Sequence, residues 1–145
     1  MWNRSNTPPR GVTASTGVSI VIIDDSQIVL DVMSEVLGGA GYDVTPLWSP
    51  KEYEVTETIM QKSPALVLVD IEMPEARGDN LIAVMRGYGF LSTAKVLLFS
   101  DRSEIELALL SETCGADGFI RKTADRPQLL AQIARHLGGS HVSAP

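Results

Sequence analysis

Carboxylates follow two strongly apolar stretches of this 145-residue chain. Residues 66–69 are Leu-Val-Leu-Val and run directly into Asp70, while residues 20–23 are Ile-Val-Ile-Ile and run into Asp24 and Asp25. A short, uninterrupted apolar run is typical of a strand that is buried on both faces. Each carboxylate is therefore expected at the end of a buried strand, at a fixed place in the fold.

Two further strand-like runs also end in a polar side chain, Ser100 after residues 95–99 and Lys122 after residues 117–121. The carboxyl ends of parallel strands meet at one edge of a sheet, so these groups should converge with the three carboxylates. Packed carboxylates repel one another, and a hard cation such as Mg²⁺ relieves that repulsion and also binds phosphate oxygens. A carboxylate there can attack phosphorus, while an ammonium and a hydroxyl group share the charge on the phosphoryl oxygens. The set predicts a site that accepts a phosphoryl group.

The elements that must position these groups alternate along the chain, since each strand-like run precedes a stretch with helical periodicity. The predicted strands cover residues 18–23, 42–47, 65–69, 95–99 and 117–121, and the predicted helices begin near residues 26, 50, 80, 103 and 125. Pro74 and Gly78 prevent the third strand from continuing beyond Asp70. Regular alternation predicts an α/β fold, a doubly wound parallel sheet with helices on both faces.

Capping residues and apolar periodicity predict where the helices begin and which faces they bury. Ser26 or Asp25 should cap the first helix, Ser103 the fourth, and Ser49 the second, with Pro50 in its first turn. The predicted buried stripes are Ile28, Val29, Val32, Met33, Val36 and Leu37 in the first helix, and Ile105, Leu107, Ala108, Leu109 and Leu110 in the fourth.

Composition limits the class of protein. The formal net charge is −6, so the chain lacks the basic surface expected of a protein that binds nucleic acid or an anionic membrane. One cysteine, Cys114, excludes an internal disulfide. The longest apolar runs have strand length, and the amino terminus lacks the apolar core of a signal peptide. These features predict a cytoplasmic protein.

These residues resemble the receiver domain of two-component response regulators. The marks are Asp24-Asp25, the run from Asp70 to Pro74 with Gly78, Ser100 after an apolar strand, and residues 115–122, Gly-Ala-Asp-Gly-Phe-Ile-Arg-Lys. The resemblance covers residues 18–137, with residues 1–17 predicted to be a disordered arm and residues 138–145 a flexible tail. It implies a five-stranded flavodoxin-like sheet with strand order 2-1-3-4-5. No output region follows residue 137, so we expect a stand-alone receiver rather than an enzyme.

The resemblance also implies a role for each site residue. Asp70 is the phosphoacceptor, and it holds Mg²⁺ together with Asp24, Asp25 and the backbone carbonyl of Glu72. By the same resemblance, Ser100 and Lys122 contact the phosphoryl oxygens, and Phe119 is the aromatic residue of the switch. The implied partners are a histidine kinase or histidine phosphotransfer protein, and a downstream protein that binds the face formed by the fourth helix, fifth strand and fifth helix.

Two positions depart from the family pattern. Thr123 follows the lysine where the family usually has proline, and Asp101 follows the hydroxyl residue where a small residue is usual. A cis bond before a residue other than proline costs roughly 2.5–4 kcal/mol, so the Lys122–Thr123 bond should be trans. Arg102 comes next, and we expect it to pair with Glu72 across the entrance of the site.

Other interpretations stay open from the sequence alone. The chain can keep the receiver fold as an interaction module that works without phosphorylation. Ser100 can be a helix cap, and Phe119 an ordinary core residue. Phosphatases of the haloacid dehalogenase type also use a strand-end aspartate with Mg²⁺, but they need a second aspartate two residues later, where this chain has Glu72.

Overall fold

The computed structural model describes residues 15–87, 89 and 93–138. Most of the predicted arm and tail, residues 1–14 and 139–145, therefore lies outside the described residues. At the start of the described chain, Thr16 donates two hydrogen bonds to the carbonyl of Gly41, one from its N–H (2.8 Å) and one from its hydroxyl (3.1 Å). These bonds attach residue 16 to the turn before the second strand.

Strands and helices alternate strictly through the described residues, as the sequence predicted. In chain order they are β1 (Ser19–Ile23), α1 (Gln27–Gly39), β2 (Asp43–Leu47), α2 (Glu52–Lys62), β3 (Leu66–Asp70), α3 (Gly78–Gly87), β4 (Lys95–Ser100), α4 (Glu104–Cys114), β5 (Gly118–Arg121) and α5 (Arg126–His136). The strands form one parallel sheet in the order β2-β1-β3-β4-β5. The predicted flavodoxin-like α/β fold is confirmed. No helix in the described part of the chain is long and apolar enough to cross a membrane.

Two apolar cores cover the two faces of the sheet. Successive side chains of a strand point to opposite faces, so Val67 and Val69 of β3 enter one core while Leu66 and Leu68 enter the other. The first core is closed by α2, α3 and α4, and the second by α1 and α5. All five residues of β3 are buried. Because β3 is buried on both faces of the sheet, the residues that precede Asp70 form an uninterrupted apolar run.

The helix caps agree with the sequence in the first and fourth helices, where Ser26 accepts from the N–H of Val29 and Ser103 from that of Glu106. In the fifth helix, Asp125 accepts from the N–H of Gln128. The predicted cap of α2 is wrong. Lys51 precedes that helix without a side-chain cap, and Ser49 instead accepts from the N–H of Lys51 in the preceding turn. Pro50 fixes this extended turn, so α2 starts later than predicted.

The predicted buried faces of α1 and α4 are partly wrong. Ile28, Val32, Ile105 and Leu109 are exposed, whereas Leu30 of α1 and Ser111 and Cys114 of α4 are buried. Both helices carry apolar residues over more than one face, so periodicity alone does not show which stripe meets the sheet. Packing selects Leu30, Met33, Val36 and Leu37 in α1, and leaves apolar side chains of both helices on the surface.

Candidate functional site

Three carboxylates converge at the carboxyl edge of the sheet. Asp70 ends β3, Asp24 and Asp25 follow β1, and the two strands are neighbours with Ile23 beside Val69. Each aspartate offers one oxygen, and these oxygens all lie within 4.8 Å of one another. Asp24 and Asp70 are buried, while Asp25 is exposed and lies at the opening. The convergence expected from the sequence is present.

Lys122 provides the positive charge of this cluster. Its ammonium lies 3.0 Å from Oδ2 of Asp24 and 3.2 Å from Oδ1 of Asp70, and 5.2 Å from the centre of the Phe99 ring. Burial lowers the pKa of Lys122, but the close contact with the charged Asp24, together with Asp70, raises it above its ordinary value overall. The Lys122–Thr123 bond is trans, as predicted. The lysine therefore reaches the carboxylates without a cis bond after it.

Burial and crowding change the protonation of Asp70. Loss of solvent, followed by the charge of Asp24, raises its pKa to about 6, although Lys122 acts in the opposite direction. Oδ2 of Asp24 is buried and accepts no hydrogen bond from the described residues, because the lysine contact lies outside hydrogen-bond geometry. A buried carboxylate oxygen with free lone pairs, near two other carboxylates, fits a hard cation that prefers oxygen ligands. The donor set could hold a metal ion.

Ser100 ends β4 beside these groups, in a buried position. Its Oγ accepts a hydrogen bond from the N–H of Arg102 (3.1 Å), which leaves the hydroxyl proton free to be donated. The cap of α4 is Ser103, so Ser100 is not needed for capping. Phe99 lies beside Asp70 in the sheet, so Ser100 stands one residue beyond the strand partner of Asp70, with a hydroxyl proton that is free to be donated.

The loop after Asp70 is held against β3 at Gly78. The N–H of Gly78 donates to the carbonyl of Ile71 (2.9 Å). A Cβ at this position would lie 1.9 Å from the carbonyl oxygen of Asp70. The sequence showed that a turn was needed here, but it did not show that the chain returns so close to the phosphoacceptor candidate.

An ion pair spans the rim of the site, as predicted. Arg102 Nε donates to Oε1 of Glu72 (3.0 Å), a second guanidinium nitrogen contacts the same oxygen, and Nη1 lies 3.3 Å from Oε2 of Glu106. The hydrogen bond from Arg102 lowers the pKa of Glu72. Arg121 also holds this loop, since its Nε donates to the carbonyl of Arg102 (3.0 Å). Sequence reasoning missed Arg121, because an arginine at a strand end carries no signal for such a contact.

Phe119 is the second residue of β5. It is partly buried and packs against the first core. His136 at the end of α5 is close to this strand: a Cβ at Gly118 would lie 3.1 Å from its Cε1. His136 is half-buried, and burial lowers its pKa. The other histidine, His141, lies outside the described residues.

Comparison with known proteins identifies the family. A profile of the response regulator receiver domain matches residues 20–134. The chemotaxis protein CheY of Treponema pallidum is 27% identical over 115 residues, which is 79% of this chain and 79% of that protein. The transcriptional regulatory protein GltR of Pseudomonas aeruginosa is 22% identical over 120 residues, 83% of this chain but only 49% of GltR. The chain thus spans about half the length of this relative.

The fold is shared with solved receiver structures. The chemotaxis protein CheY4 of Vibrio cholerae superimposes with a TM-score of 0.72 at 20% identity, covering 81% of this chain and 97% of that one. The profile spans well over half of the sequence and includes the four strand ends that carry the site. From this match, the chain belongs to the response regulator receiver domain family of two-component signalling.

Proposed function

We propose that this protein is a phosphorylation-switched receiver whose phosphoacceptor is Asp70. The observation that carries the proposal is the convergence of Asp24, Asp25 and Asp70 with Lys122 at one sheet edge. Receiver domains of response regulators interact with histidine kinases and downstream targets. The donor proposed for this chain is a histidine kinase or histidine phosphotransfer protein, and the location proposed is the cytoplasm. The proposed role is signalling and not catalysis of metabolite turnover.

In this proposal Asp24, Asp25 and Asp70 hold Mg²⁺, and the backbone carbonyl of Glu72 is a further ligand. Bound Mg²⁺ supplies positive charge that offsets the three carboxylates and the phosphoryl oxygens. Asp25 is the exposed member of the set, so it stands where a hydrated ion would arrive. Asp24 is buried and has an oxygen without a hydrogen bond, which supports a ligand role.

The side chains proposed for phosphoryl transfer all lie at this edge of the sheet. A carboxylate oxygen of Asp70 attacks phosphorus, and the bond from phosphorus to the donor's histidine nitrogen breaks with its electron pair left on nitrogen. Lys122, now 3.2 Å from Asp70 Oδ1, pairs with a phosphoryl oxygen, and Ser100 donates its free proton to another. Water later attacks phosphorus, which releases orthophosphate and restores the carboxylate.

The test is incubation of the native chain with acetyl phosphate and MgCl₂, followed by mass spectrometry of the intact protein. We expect one added phosphoryl group, with no addition when EDTA is present from the start. Absence of the adduct under both conditions would contradict the proposal and favour an interaction module that works without phosphorylation. Equal addition with and without EDTA would contradict the metal role.

The proposed readout runs from Ser100 to Phe119 and then to the face formed by α4, β5 and α5. As Ser100 turns to the phosphoryl group, the partly buried Phe119 gains room to rotate inward. Ile105 and Leu109 stand one helical turn apart on α4 and are exposed, which supports a protein-binding role for this face.

Addition of beryllofluoride with MgCl₂, a mimic of the phosphoryl group, tests this readout by amide and aromatic chemical shifts. We expect changes at Phe119 and along α4 as well as at the carboxylates. Matched spectra with MgCl₂ alone are the control. Changes restricted to residues around Asp70 would contradict the switch.

A further inference from the structure

We propose that His136 is a positioning residue for the switch, because its ring occupies the space beside Gly118 where a side chain would stand and so holds the part of β5 that leads into Phe119. The inference rests on the proposed function, since it assumes that Phe119 moves when Asp70 is phosphorylated. It adds a residue of α5 that sets how readily this movement takes place. The contact lies at the opposite end of β5 from Lys122, outside the metal and phosphoryl site.

The contact with His136 accounts for the glycine at position 118. A Cβ on Gly118 would lie 3.1 Å from Cε1 and 3.8 Å from Nδ1 of His136, and 3.5 Å from Cδ2 of Leu97. The φ of Gly118 is not positive, so the backbone conformation does not require glycine. Glycine weakens a strand, because it costs conformational entropy and has no side chain to pack. The close approach of the imidazole ring supplies the reason for its presence here.

Other elements hold the same stretch of backbone from different directions. Ser111 of α4 is buried, and its Oγ donates to the carbonyl of Gly118 (3.0 Å). The carboxylate of Asp117 accepts at Oδ2 from the N–H of Val96 (2.8 Å) and from Nη2 of Arg86 (2.8 Å). The start of β5 is thus held by α3, α4 and β4, and the histidine ring contacts it from α5, at the residue before the switch aromatic.

The surroundings of His136 keep its ring neutral. Burial lowers the pKa of His136, as do the charges of Lys95 and Arg135. The backbone of Phe119 and the charge of Asp117 act in the opposite direction without cancelling this shift. Slightly above neutral pH the half-buried imidazole is therefore uncharged and packs as a flat aromatic group. A different neutral aromatic ring should be able to replace it.

The ring links α5 to the movement of Phe119. Gly118 and Phe119 are adjacent, and Phe119 packs against the first core, so inward rotation of its side chain changes the packing around residue 118. Contacts that fix Gly118 favour the described position of Phe119 over the inward one. Removal of the ring opens space beside Gly118 and makes the inward position easier to reach. By linkage, the phosphoryl group that drives the movement is then bound more tightly.

Titration with beryllofluoride in MgCl₂ at pH 7.5, followed through the chemical shifts of Phe119, tests this role. We expect His136→Ala to reach half of the Phe119 change at a beryllofluoride concentration about two to five times lower than the native chain, a modest coupling. His136→Phe supplies a neutral ring again, so its midpoint should return toward the native value. A ring that served stability alone would leave the midpoint of His136→Ala unchanged.

Gly118→Ala tests the contact from the strand side. Its methyl group must displace the ring of His136 by a few tenths of an ångström, so this variant should also have a lower midpoint. Urea unfolding should show that Gly118→Ala costs stability in the native chain but not in His136→Ala, where the methyl group enters the vacated space. Additive effects would show that the ring does not occupy that space, which would overturn the contact.

His141→Ala is the matched control, because it removes the other histidine of the chain. Its midpoint should equal that of the native chain. An unchanged or higher midpoint in both His136→Ala and Gly118→Ala, with Phe119 responding in the native chain, would overturn the role of His136 and leave the switch intact. A native chain in which beryllofluoride binds without changing Phe119 would overturn the proposed switch as well.

Discussion

Asp70→Asn is expected to abolish phosphorylation by acetyl phosphate while leaving the protein folded. The amide keeps the shape of the side chain but has no anionic oxygen to attack phosphorus. Intact mass should show one phosphoryl group on the native chain and none on the variant. Asp43→Asn is the matched control, because Asp43 begins β2 at the opposite edge of the sheet and is exposed. It should be phosphorylated like the native chain.

Asp70→Asn should also be more stable than the native chain in the absence of metal. Burial and the charge of Asp24 raise the pKa of Asp70 from 3.8 to about 6, so the folded protein binds this proton more tightly than the unfolded chain. Native stability therefore falls as pH rises from about 4 to 6, and the deficit is constant above that range. Asparagine mimics the neutral carboxyl group and removes the deficit.

We expect Asp70→Asn to gain on the order of 1–2 kcal/mol at pH 7.5 and nothing near pH 4. Urea unfolding of both proteins in EDTA across this pH range measures it. MgCl₂ should stabilise the native chain more than the variant. A variant that is less stable at pH 7.5 would mean that the bond to Lys122 outweighs the repulsion. A phosphorylated variant would remove Asp70 from its proposed role.

The residues of the site could be predicted from the sequence because the strands of the sheet are parallel. When strands run in one direction, the residue at each carboxyl end reaches the same edge, whatever the register. Asp24, Asp70, Ser100 and Lys122 needed only their positions after apolar runs to be grouped together. The Glu72–Arg102 pair followed from the same reasoning, since each residue stands two places beyond a strand end.

The helix faces were less predictable for a physical reason. In α1 and α4 the apolar residues spread around the helix, and the stripe that is buried depends on how the chain enters the helix from the strand before it. Ile28 and Ile105 each stand in the first turn of their helix, and both are exposed. The contact of Arg121 with the loop after Ser100 is set by tertiary packing and has no sequence pattern.

Gly78→Ala is expected to destabilise the protein by about 2–4 kcal/mol, a large effect for the addition of one methyl group. The new Cβ would lie 1.9 Å from the carbonyl oxygen of Asp70, 2.8 Å from its carbonyl carbon and 2.9 Å from Cγ1 of Val69. These atoms belong to β3, whose residues are all buried and paired on both sides, so they cannot retreat. The loop must move instead.

The sign of this change is diagnostic because helix propensity predicts the opposite. Alanine in place of a helical glycine normally stabilises by roughly 0.5–1 kcal/mol, and the φ of Gly78 is not positive. Gly38→Ala in α1 is the matched control, since nothing lies within 4 Å of its new Cβ. Urea unfolding should show Gly38→Ala as stable as the native chain, or more so. Equal stability of Gly78→Ala would mean that the loop yields freely.

Gly78→Ala should also lower the rate of phosphorylation, in addition to lowering stability. The bond from Gly78 to the carbonyl of Ile71 closes the loop that begins at Asp70, and outward movement of residue 78 breaks it. Asp70 would then lose its fixed position relative to Asp24, and Glu72 would shift relative to Arg102. We therefore expect weaker stabilisation by MgCl₂ and slower phosphorylation in Gly78→Ala, measured at a temperature where both proteins are folded. An unchanged rate would show that the site tolerates displacement of the loop, and that close packing of Gly78 serves stability alone.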